Sequence, residues 1–144
     1  MTTNPTLAAI PVTDDGALTQ RWADLLTPGP VGTRTLWLAW LRPDGTMPPV
    51  LIPIEGVAEQ PQWDSLRSVY HLHAEVAGLD GADPDDLHLT MALARPGADD
   101  ATEADYEWCE VVEELGESLE LYCSFHVFDG RSTVQLRPRS YWPR

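Results

Sequence analysis

The sequence predicts an α/β (α+β) domain built on a single mixed β-sheet of about five strands flanked by about three helices. Three observations carry that expectation. Segments of helical period alternate with short apolar runs in the order helix, two strands, helix, strand, helix, two strands. Prolines and glycines fall between these segments, where they punctuate rather than break them. At 144 residues with 43% apolar content, the chain is also sized for one core and one domain.

Residues 1–13 are rich in Pro and Thr and read as a flexible N-terminal segment, ahead of one domain at 14–137 and a C-terminal tail at 138–144. Asp14 or Asp15 is the N-cap of "GALTQRWADLL", where Leu18, Trp22 and Leu25 or Leu26 recur at helical spacing until "TPGPVG" ends the helix. "TRTLWLAWL" (33–41) and "TMPPVLIPI" (46–54) flank Arg42-Pro43-Asp44-Gly45 and read as a hairpin, because Pro sets the first turn φ and Gly tolerates a positive one. Pro48, Pro49 and Pro53 cannot donate ladder bonds, so the second strand belongs at an edge or is irregular.

Over 61–78, Trp63, Leu66, Val69 or Tyr70, His73 and Val76 or Ala77 form one stripe, a helix packed on the sheet. "LHLTMALA" (87–94) is a short apolar run between turn residues, a buried strand. Thr102, with Asp105 three residues on as a shortened capping box, starts another helix. Trp108, Val111 or Val112 and Leu115 are its apolar face, and Gly116 reads as its C′ residue. "LELYCSFHVF" (119–128), the turn Asp129-Gly130 and "STVQL" (132–136) form a terminal hairpin.

Charge excludes several functions. Nine Arg and no Lys face 23 acidic residues, a net charge of -14. Without lysine there is no Schiff-base nucleophile and no phosphate-loop lysine. There is no basic patch for phosphates, so neither nucleic acid nor a membrane surface is an expected partner. A protein partner, a basic one in particular, and a homodimer remain compatible with the composition. Cys109 falls in a helical pattern and Cys123 in a strand pattern, without zinc-knuckle spacing, and both read as reduced, buried thiols. The stretch "MTTNPTLAAIPVTDDGAL" lacks the basic and apolar regions of a secretory signal, and no apolar run is long enough for a membrane span. A cytoplasmic location is the expectation.

Candidate chemistry is sparse. His71 and His73, two apart in a helix, point to different sides, and His88 and His126 lie on separate strands. No nucleophile elbow occurs. The acids Asp80, Asp83, Asp85 and Asp86, like Asp99 and Asp100, lack the spacing of a calcium loop. Glu103, Glu107, Glu110, Glu114 and Glu117 follow at alternating spacings of four and three, one stripe of like charge along the third helix. It reads as a solvated face or as an interaction surface for a basic partner.

The run Leu93-Ala94-Arg95-Pro96 followed by Thr102-Glu103-Ala104-Asp105 resembles the JAMM/MPN metalloprotease family and its RadC-like branch. Active members of that family have His-x-His-Pro at the end of the central strand and Ser-x-x-Asp at the head of the next helix. Here the Pro, the hydroxyl cap and the Asp match, whereas Leu93 and Arg95 replace both metal histidines. The glutamate base of an early strand is also missing, since 33–43 and 46–54 contain no acid. The chain resembles, too, a group of short bacterial proteins sharing "TRTLWL", "PVLIPI" and the "ARPG" segment.

The resemblance implies a pseudoenzyme: no metal, no cofactor, no catalytic residue, and a vestigial site at Leu93, Arg95, Pro96, Thr102 and Asp105. Its expected role is that of a protein-interaction or regulatory module, with Glu103, Glu107, Glu110 and Glu114 as the surface. Arg95 is either part of that surface or a structural partner of Asp99, Asp100 or Asp105. The alternatives are a hydrolase with an unrecognised Asp/His site and an acidic decoy for a nucleic-acid-binding protein.

Overall fold

The computed structural model describes residues 10–26, 32–97, 100–121 and 123–139, leaving aside the side chains of 63–65. Along the chain come α1 (Asp15–Leu26), β1 (Thr35–Leu41), β2 (Ile52–Glu55), α2 (Trp63–Asp80), a 3-10 turn (Pro84–Asp86), β3 (His88–Ala94), α3 (Glu103–Leu119), β4 (Cys123–Phe128) and β5 (Thr133–Arg137). The strands form one mixed sheet in the order β2-β1-β3-β4-β5. Only β3 and β4 run parallel; the other neighbours are antiparallel. A parallel pair needs a crossover connection, and α3 supplies it. The predicted α+β class, with five strands and three helices, is the observed one.

Strand alternation sorts the side chains into two cores. On one face Leu36, Leu38, Trp40, Leu89, Met91, Leu93, Phe125 and Val127 meet Leu66, Val69 and Val76 of α2 and Trp108, Val112 and Leu115 of α3. On the other, Ala39, Leu41 and Ala92 meet Leu18 and Trp22 of α1 together with Val12, Met47 and Leu51. All seven residues of β3 are buried, as befits a strand covered on both faces.

Local chemistry sets the ends of the elements. Asp14 accepts the Ala17 N–H at 2.7 Å to begin α1. Gly81, in the left-handed region at φ 70°, closes α2. Arg42 ties the end of β1 to the end of α2 through a two-pronged bond to Asp80, at 2.9 and 2.7 Å.

Four boundaries differ from expectation. The second strand starts at Ile52, not at 46, because Pro48 and Pro49 hold residues 46–51 out of the ladder, while Pro53 sits within the edge strand. The third helix runs through Gly116 to Leu119, so Gly116 is not its C′ residue; Glu120, at φ 54°, takes the left-handed cap. Gly116 is required for another reason, since a Cβ there would meet the Leu121 carbonyl oxygen at 2.8 Å. The longer helix delays β4 to Cys123. At the N-terminus, positions 10–13 are anchored rather than loose: Val12 is buried and its N–H donates to the Gly45 carbonyl at 2.8 Å. Arg21 adds a 2.6 Å bond to the Ile10 carbonyl. Positions 1–9 and 140–144 of the expected terminal segments lie outside the described residues.

Two glycines in helices should respond oppositely to alanine. Gly78 has nothing within 4 Å of an added Cβ. Gly78→Ala should therefore stabilise by about 0.5–1 kcal/mol through helix propensity. Gly116→Ala should destabilise despite the same gain, because backbone at Leu121 must shift. Urea denaturation midpoints of the two variants check both signs.

Candidate functional site

The carboxyl end of β3 holds the best-defined polar cluster. Arg95 follows the last strand residue, and its N–H donates to the Phe128 carbonyl at 2.9 Å, extending the β3–β4 ladder by one bond. Alternation aims its side chain at the α2/α3 face, where α3 begins. There Nη2 donates to Asp105 Oδ2 at 2.6 Å, and Nε bonds both carboxylate oxygens at 3.1 and 3.2 Å. A further Nη2 bond of 3.0 Å reaches the Asp100 carbonyl. The two side chains are 2% and 0% exposed.

Asp105 also completes the capping box. It accepts the Thr102 N–H at 2.8 Å, while its own N–H donates to Thr102 Oγ1 at 3.2 Å. Burial on its own would raise the Asp105 pKa, but the bonds from Arg95 and Thr102 outweigh it and hold the carboxyl below its ordinary value. The hydrogen bond to Asp105 raises Arg95 against the opposing effect of burial. The arginine is thus a structural pin: it ties strand, loop and helix start together through one carboxylate.

The expected vestigial residues are accordingly divided. Arg95, Thr102 and Asp105 form one bonded unit, Leu93 is packed in the apolar core, and Pro96 is exposed. Of the three acids weighed as partners of Arg95, Asp105 contributes its carboxylate and Asp100 its backbone; Asp99 lies outside the described residues. Zinc does not fit this donor set. Leu93 has no lone pair to offer, and the Asp105 oxygens already accept from Arg95 and Thr102. Among the described residues, no three of His, Cys, Asp and Glu come together as a cation-binding group.

The glutamate stripe lies on a helix that continues through every one of its members, with Glu103, Glu110, Glu114 and Glu117 exposed and Glu107 half-buried. Glu113, outside the stripe, meets Arg137 of β5 at 3.3 Å. Cys109 and Cys123 are free thiols, and burial raises Cys123 to about 12.

The histidines sit elsewhere. His73 lies between Trp40, whose Nε1–H donates to Nδ1 at 3.1 Å, and the Pro84 carbonyl, 2.8 Å from Nε2. Indole can only donate, so Nδ1 is the acceptor and Nε2 carries the proton. His71 is exposed.

A polar row that sequence reading missed runs under α1. Trp22 Nε1 donates to Thr90 Oγ1 at 2.8 Å, Thr90 and Ser124 share a 2.8 Å hydroxyl bond, and Ser124 Oγ lies 2.9 Å from His88 Nε2. Farther along, His126 Nε2 lies 3.2 Å from Thr19 Oγ1. The signal was present as alternation: His88 and Thr90 in "HLTMALA", Ser124 and His126 in "CSFHVF", each every second residue on the face opposite Asp105. The His88–Ser124 contact has the distance of a nucleophile–base pair, and burial lowers His88 to about 3, helped by Arg139 and His126. Burial likewise lowers His126 to about 4, against the raising effects of Asp15 and the Met91 carbonyl.

No family model matches the sequence, and no curated protein matches it either.

Two measurements follow from this geometry. Asp105→Asn removes the charge that compensates a buried guanidinium and should cost about 3–5 kcal/mol, whereas Arg95→Met combined with Asp105→Asn should recover part of the loss. Denaturant unfolding of the four-member cycle checks it. The histidines set an acid limb. Above pH 6.5 both rings are neutral folded or unfolded; below it the unfolded chain takes up protons that the folded state refuses until about pH 4 and 3. Stability should fall with acidification in that window by about 1.4 kcal/mol per pH unit for each histidine. His126→Gln should flatten the slope, as read from melts across pH.

Proposed function

We infer that the chain is a catalytically silent JAMM-like domain that works by binding a protein partner. The observation supporting this reading is the Arg95–Asp105 pair. It stands at the carboxyl end of the parallel strand pair, where open α/β sheets commonly place their ligands, and it fills that position with a buried, mutually neutralised tie. A hydrolytic centre needs a base within reach of a bound water or substrate. Asp105 is occupied by structural donors, and His88 and His126 bond on the opposite face of the sheet.

Binding falls instead to the exposed surface. The glutamates of α3 present like charges at neighbouring helical positions, which costs a few tenths of a kcal/mol per pair in low salt. Such a face suits a basic protein surface, whose approach relieves the repulsion and is steered by the net charge of -14.

The test combines metal and partner. Protein purified from zinc-replete cells should contain no stoichiometric zinc. A basic protein captured by the native chain at low salt should be released at high salt and not captured by Glu107→Lys/Glu110→Lys/Glu114→Lys. Stoichiometric zinc lost in Asp105→Asn would overturn the silent-site reading, and unchanged capture by the charge-reversed variant would overturn the surface assignment.

A further inference from the structure

The two faces of the sheet are covered by unlike interfaces. Toward α2 and α3 the strands present large apolar side chains such as Trp40, Met91 and Phe125. Toward α1, β3 and β4 present His88, Thr90, Ala92, Ser124 and His126, so this helix closes over four buried polar side chains.

The departure of α1 would also disrupt the fold least. It precedes β1, so no strand ladder includes it, and at 12 residues it depends on its packing to remain helical. Besides Trp22 and Leu18, it is held by the Thr19 bond to His126 and by Asp15, which accepts from Gln135 Nε2 at 3.2 Å. Docking it buries Arg21, whose guanidinium bonds the Ile10 carbonyl and the Met47 sulfur rather than a carboxylate. Release returns that charge to water.

The two histidines beneath are 2% and 0% exposed, and His88 Nδ1 has no partner among the described residues. The charges that bear on His88 are all cationic: Arg137 of β5, Arg139 beyond it, His126 of β4 and His73 of α2. His126 has the Asp15 carboxylate of α1 in its favour, but burial outweighs that attraction. Either ring accepts a proton more readily once α1 has left and water reaches it.

We propose that α1 is an acid-released clasp: as pH falls, proton uptake by His88 and His126 lifts this helix off a sheet that stays folded against α2 and α3. The sign follows from linkage. Below about pH 6.5 each uncovered ring takes up a proton that the docked state refuses, so the ratio of released to docked chain rises about tenfold per pH unit for each ring.

The test is a titration of the full chain from about pH 7 to about pH 4, followed element by element through backbone Cα chemical shifts. The α1 shifts should become those of an unstructured chain while β3, α2 and α3 keep their native values, with the ratio changing roughly a hundredfold per pH unit. His126→Gln should cut that steepness to about tenfold and move release to lower pH. Thr19→Ala, which removes a docking bond and no proton site, should move release to higher pH at unchanged steepness. Loss of native shifts in all elements together would overturn the proposal in favour of plain acid unfolding. So would an α1 still native at the acid end, or a steepness unchanged in both His126→Gln and His88→Gln.

Discussion

The architecture depends on burying β3 completely. A strand covered on both faces, with antiparallel β1 on one side and parallel β4 on the other, must have its helix crossover returned in register. That return starts at Arg95. Its backbone prolongs the parallel ladder while its side chain fixes the first turn of α3 through Asp105, so one residue couples the end of the strand to the direction of the helix. Replacing the pair by apolar residues could serve stability as well, since buried ion pairs seldom repay their desolvation in full. What apolar residues could not do is satisfy the Thr102 N–H and the Asp100 carbonyl at the same time. The pair therefore specifies a geometry, and apolar burial supplies the energy.

A related constraint governs the large aromatic residues. Trp22, Trp40 and Trp108 are among the largest fully buried side chains, and each carries one N–H that cannot be left unpaired. They donate to Thr90, His73 and the Glu59 carbonyl respectively. Each bond joins two elements: α1 to β3, β1 to α2, and α3 to the loop preceding α2. The buried polar residues that first look like candidate chemistry are thus mostly the acceptors that make tryptophan burial affordable. His73 and Thr90 serve in this way, and Ser124 and His88 extend the row from Thr90 to the start of β3.

Legibility in the sequence followed the range of the interactions involved. The capping box of Thr102 and Asp105 and the Arg42–Gly45 turn are local and were readable from residue type and spacing. The helical stripes were also readable, with Tyr70 resolved as exposed beside buried Val69. Boundaries failed where a local signal was overruled from afar. Gly116 looks like a helix stop, but its missing Cβ accommodates the Leu121 backbone, and an apolar α3 face continues past it. The partner of Arg95 could be narrowed to three nearby acids, yet choosing Asp105 required knowing that the capping turn presents its carboxylate inward. The row from Trp22 to His88 joins residues from three elements, and strand alternation alone could place its members on a face without pairing them.

The absence of lysine acquires a structural meaning in this light. Arg42 grips Asp80 with two nitrogens and gives a third to Thr46 at 3.1 Å; Arg95 uses Nε and Nη2 on one carboxylate; Arg137 meets Glu113 while its Nε bonds the Cys123 carbonyl at 3.2 Å. Each joins separate elements through several donors in a fixed plane, which a single ammonium cannot reproduce. With nine cations against 23 acids, and Arg42, Arg95 and Arg137 each already held by carboxylates or carbonyls, most of the acids have no cation to pair with. The fold thereby separates two roles of charge. Arg42, Arg95 and Arg137 set the relation between elements through planar geometry, and the excess of carboxylate leaves the chain with its net charge of -14.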